Sequence, residues 1–82
     1  MSYTIEFPAT DPNRAVKAIE ATKAYLGDKF TEVINLFTKA INAGEIENRR
    51  QVHLGMAFAG IRGYPVDAII ERYWPTLPAA EA

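Results

Sequence analysis

From Val16 to Ala40 apolar residues return every three or four positions with almost no break in phase: Val16, Ile19, Leu26, Phe30, Val33, Phe37 and Ala40, with Lys23 the one charged member of the row. This is the period of an α-helix buried along one face. A chain built this way must bury helical stripes, its own or those of a second copy. Two arrangements satisfy the row. A single helix over 12–43 would run about 48 Å at 1.5 Å per residue. That is too long for a compact chain of 82 residues and would imply a dimer. A break at Gly27 makes two helices instead. Glycine inside a helix costs about 1 kcal/mol, and Asp28 behind it is well suited to cap the next helix. Both favour the break.

The remaining elements follow from local signals. Asp11-Pro12 reads as an N-cap followed by proline at the first helical position. Ala15, Val16, Ile19, Thr22 and Leu26 give the first stripe. Phe30, Val33, Ile34, Phe37, Ala40 and Ile41 give the second, which Gly44 ends. A third helix is predicted over 45–62, polar at first and then apolar nearly all round from Val52 to Ile61. Such a helix is central in a bundle or sits in an interface. Gly55 and Ala59, four apart, would let another helix approach closely. Tyr64-Pro65 opens a last helix with Asp67 in its first turn, and Pro75 and Pro78 close it. Before all of these, Ser2 to Phe7 alternates as a half-buried strand does, and Pro8 stops it. The expected fold is therefore mostly α: a single domain with an extended N-terminal strand or arm at 2–7, a bundle of three to four helices over 11–74, and a frayed tail over 75–82.

Size and composition narrow the class. A core this small supplies only a few kcal/mol, and chains of this length often add a staple or a partner. There is no cysteine, hence no disulfide and no thiolate metal site. A second copy or another protein is then the expected source of extra stability, and a homodimer is the expected assembly. The missing cysteines fit a reducing, cytoplasmic setting. Met1 to Thr10 lacks the basic start and apolar run of a signal peptide. The longest apolar stretch, Val52 to Ile61, is about half of what a bilayer span needs, so no membrane is expected. A net charge of −1 gives no general attraction to nucleic acid.

The residues that carry chemistry are few. Ser2 is the only serine and His53 the only histidine, so a nucleophile and base are hard to pair. No spacing of acids marks a metal site, and no cofactor motif occurs. The chain is expected not to be an enzyme and to hold no cofactor or metal. Two DNA-binding layouts resemble parts of it. A strand followed by two helices is the layout of ribbon-helix-helix repressors, but Ser2, Thr4 and Glu6 on the outer strand face include no cation. A helix-turn-helix over Val52 to Trp74 has Ala59, Gly63 and Ile69 at fitting spacings, yet Arg62 and Arg72 fall where apolar residues belong. Nucleic acid is the weaker alternative, with the chain as a small dimeric regulator.

One compact polar cluster remains. Arg49 and Arg50, with Asn48, Gln51 and His53, lie near a helix start, where the helix dipole does not favour cations. Arginine, tyrosine and tryptophan are frequent interface anchors, and Tyr73 and Trp74 lie close together near the end of the chain. The expected partner-binding residues are Asn48, Arg49, Arg50, His53, Tyr73 and Trp74. Arg49 and Arg50 are expected to serve the partner surface and not the fold. The expected function is that of a non-enzymatic protein that binds another protein, as inhibitors, assembly chaperones and accessory subunits do, phage-encoded ones among them.

Overall fold

A computed structural model describes residues 7–79. Among them four helices make up the regular structure: α1 (Arg14–Leu26), α2 (Lys29–Asn42), α3 (Arg49–Phe58) and α4 (Tyr64–Tyr73). The mostly α bundle expected from the apolar periodicity is what forms. The predicted strand over 2–7 lies outside the described residues except for Phe7. That residue packs against Tyr64 with ring centroids 6.3 Å apart, and its carbonyl accepts a 2.7 Å bond from Arg14 Nε.

The break at Gly27 decides between the two readings of 12–43. Gly27 adopts φ 59°, ψ −131°, a conformation open to residues without a Cβ. Its N–H donates to Lys23 O at 2.8 Å, closing α1, and its carbonyl accepts from Phe30 N at 3.1 Å. The first helix therefore ends there, and α2 begins two residues on at Lys29. Asp28, expected to cap α2, makes no side-chain capping bond there. Asp11 likewise stands one turn ahead of α1. Its Oδ1 accepts from Asn13 N at 2.8 Å, and helical geometry begins at Arg14.

α4 is the central element. Val66, Ile69 and Ile70 are fully buried, and Ala68 nearly so. Its residues pack most extensively on α1, and the two run in the same sense: Arg14 stacks 3.6 Å over the Tyr64 ring at their starts. α3 runs against α4 in the opposite sense, since Arg49 meets Glu71 and His53 meets Asp67. The core draws Ala18 and Ile19 from α1, Phe30 and Ile34 from α2, Val52 and Met56 from α3, with Ile61 folded back beneath the turn that follows. Thr22 is a fully buried polar residue whose hydroxyl is satisfied by donating to Ala18 O at 2.8 Å.

Two expectations need correction. The helix predicted over 45–62 is shorter at both ends, and the tail predicted to fray from Pro75 is docked as far as it is described. Leu77 is buried in the core cluster, its N–H donates to Trp74 O, and Pro78 O accepts from Arg49 N at 2.9 Å. The prolines stop the helix without releasing the chain, because Leu77 gains from burial and Arg49 supplies donors for the carbonyls that no helix satisfies.

Candidate functional site

α3 and its N-cap carry four of the six residues expected to meet a partner, and the helix start is set by a capping box. Asn48 Oδ1 accepts from Gln51 N at 3.1 Å, while Asn48 N donates back to Gln51 Oε1 at 3.2 Å. Asn48 thus serves the helix terminus. The Asn48-x-x-Gln51 spacing is a sequence signal for a start at Arg49, and it overrides the polar run from Glu45 that suggested an earlier one.

Arg49 faces inward. Its Nε donates to Leu77 O at 2.8 Å and its Nη2 to Pro75 O at 3.0 Å, and Nη1 pairs with Glu71. The planar guanidinium has a fork of donors suited to several acceptors at once. Arg49, expected to serve the partner surface and not the fold, ties α3 to the end of α4 and to the segment beyond. Arg50, the next residue around the helix, is exposed.

His53 Nε2 lies 2.7 Å from Asp67 Oδ1 at the α3–α4 seam, with about a third of the His53 side chain exposed (35%). Tyr73 is half-buried, edge-on to Phe30 with centroids 6.2 Å apart. Trp74 is buried against Phe37 and Tyr73. Its Nε1–H donates to Thr38 Oγ1 at 2.9 Å, and that hydroxyl donates on to Ile34 O at 2.8 Å. Trp74, offered above as a partner anchor, is a core residue with its one polar group already satisfied. Asn48, Arg49 and Trp74 thus have partners within the fold, and Arg50 is the most exposed of the six residues expected to meet a partner.

The surface feature that the sequence did not single out is the outer edge of α3. Phe58 is 94% exposed and Leu54 is 56% exposed. They are four residues apart and fall in line with Arg50, four residues further back. Val52 and Met56, also four apart, are buried. The two pairs are offset by two positions, about 200° around a helix, so they occupy opposite sides. One pair faces the core and the other faces out. An apolar stripe of this kind, ending in a cation and standing on a capped helix, is suited to protein contact.

Other surfaces offer less. An open hollow of about 750 Å³ lies along the outer side of α2 between Asp28 and Asn42, with Leu36 its only large apolar residue. The segment read as a recognition helix, Val66 to Trp74, is mostly core, and α3 and α4 lie side by side where a helix-turn-helix crosses near a right angle. Among the described residues no three acidic or histidine side chains gather as metal ligands. None of their helices is long and apolar enough to cross a membrane. Compared with known proteins, the chain matches no family model, no curated protein and no solved structure.

Proposed function

We propose that this is a non-enzymatic protein that acts by docking on another protein through the outer edge of α3, with Phe58 and Leu54 as apolar anchors and Arg50 as the charged flank. The observation that carries the reading is the 94% exposure of Phe58. Large aromatic residues are disproportionately interface anchors, and a phenylalanine has no polar atom that gains from facing water. Its neighbour Leu54 extends the patch along the same row, and the capping box holds that row in place. An inhibitor, assembly chaperone or accessory subunit would use such a surface.

The test is affinity isolation from the source cell, with and without nuclease, using the wild-type chain and Phe58→Ser. Phe58 touches little of its own fold, so the variant should keep the wild-type circular dichroism spectrum. A protein that survives nuclease and is lost from the Phe58→Ser sample supports the reading. Nucleic acid recovered alone, or a protein partner held equally by both chains, overturns it.

A further inference from the structure

We infer that the α3 edge and a groove between α1 and α4 are the two halves of a head-to-tail contact between copies of this chain. The inference rests on the docking reading above and names the occupant of that surface.

The groove holds about 450 Å³ and is lined by Ala15, Val16, Ile19, Ala68 and Tyr73, with the charged Glu71 and Arg72 beside them. It exists because α1 and α4 run alongside each other and present small residues, Ala15 and Ala68, where their surfaces meet. A smaller hollow shares Val16, Ile19 and Arg72 with it and carries the groove on towards Glu20 and Lys23. Val16 is 57% exposed and Ala15 is exposed beside it, while Ile19 and Ala68 beneath them are buried, so the open apolar part of the groove is the Val16 side. The α3 edge is the opposite shape: a ridge in which Leu54 and Phe58 stand out. Ridges of residues four apart pack into grooves on neighbouring helices.

The rim is mixed in charge, with Lys23 and Arg72 beside Glu20, and Glu20 is the group on it that suits a cation. Glu20, on the groove rim, has a side chain 66% exposed, and its ion-pair partner among the described residues, Lys23, stands 3.9 Å away. Glu20 is available to the Arg50 that ends the ridge. Arg72 lies across the rim, where a guanidinium can sit over an incoming aromatic ring. One contact of this kind covers Val16, Leu54 and Phe58, three of the five large apolar side chains exposed among the described residues.

A symmetric pairing of two α3 edges fits less well. Side by side in the same sense, it sets Arg50 against Arg50. In the opposite sense, with Leu54 on Phe58, it sets Arg50 beside the 59–63 turn, whose own sequence offers no acid, and it leaves Val16 uncovered. A head-to-tail contact joins two different surfaces, so each copy keeps one of each free and association continues into a ring or an open chain.

The test uses the purified full chain in sedimentation velocity from micromolar to millimolar concentration. The wild type should exceed the 9.1 kDa chain mass and grow heavier with concentration. Phe58→Ser removes the ridge and Val16→Arg fills the groove. Each should raise the dissociation constant roughly thirty-fold or more, the effect of losing one interface anchor. Ala15→Arg blocks the same groove from another exposed position and should match Val16→Arg. Mixed one to one, Phe58→Ser and Val16→Arg should form a species at twice the chain mass and stop there, because one intact ridge then meets one intact groove. A wild type that stays at the chain mass, groove variants that associate normally, or a mixture that does not pair would each overturn the contact. If the chain stays monomeric while Phe58→Ser still loses a cellular protein partner, the head-to-tail contact fails and the docking reading stands.

Discussion

Arg49 and Arg50 are adjacent in sequence and opposite in role. Three nitrogens of Arg49 reach Leu77 O, Pro75 O and Glu71, whereas Arg50 is exposed. Removing a charged donor from carbonyls that are partly shielded costs about 2 kcal/mol. Arg49→Ala should therefore lower the unfolding free energy by about that amount, and Arg49→Lys should recover only part of it, since a single ammonium cannot fork to the same acceptors. Arg50→Ala should stay within about 0.5 kcal/mol of wild type. Urea titrations of the three variants check this, and equal losses at the two positions would contradict it. Asp11 contributes to the acid response. Lys17 Nζ at 2.6 Å and Asn13 N–H at 2.8 Å bond its carboxylate, and these hydrogen bonds, that from Lys17 above all, hold its pKa below the ordinary aspartate value. A lowered folded-state pKa contributes stability that is complete above the unfolded value, about 3.9, and is lost as pH falls through the folded one. Asp11→Asn should thus reduce the Tm at pH 7, and the gap to wild type should close in acid below the folded-state value. A gap of the same size in strong acid would mean that the carboxylate charge is not its source.

At the scale of helices, the contact between α2 and α3 turns on one missing side chain. A Cβ at Gly55 would stand 2.7 and 2.8 Å from two carbons of the Phe37 ring, so the glycine is where the ring rests. Adding bulk there overpacks the seam, at roughly 1–3 kcal/mol. Leucine would otherwise gain up to about 1 kcal/mol over glycine from helix propensity. Gly55→Leu should lower the Tm, and Phe37→Leu in the same chain should restore part of the loss. A raised Tm in the single variant would place Gly55 away from the ring. Gly55 was readable as a point of close approach because a glycine inside an apolar helical run is costly unless something uses the space. The break at Gly27 and the α4 start at Tyr64-Pro65 were readable for the same local reason. The true start of α3 was also written locally, in Asn48-x-x-Gln51, but the run of charges before it masked the signal. Which of the two opposed apolar pairs on α3 faces the core was not readable, because periodicity gives the angle between stripes and not the direction of the neighbours.

Across the whole molecule, what escaped sequence reasoning depends on distant segments meeting. Arg49 read as a surface cation because its acceptors lie 22 to 28 residues further along. Trp74 read as a candidate anchor because Thr38, which takes its N–H, is 36 residues away. The tail looked frayed because its prolines stop a helix, and nothing local tells that Leu77 has a place to go. The parallel pairing of α1 with α4 has a consequence in time. These two helices bracket the bundle in sequence, yet each is the other's most extensive neighbour. On a growing polypeptide α1 can meet α2 early, but its larger contact, with α4, forms only when nearly the entire bundle has emerged. That pairing closes the longest loop between helices of the bundle, and contacts so far apart in sequence form more slowly than those between successive helices.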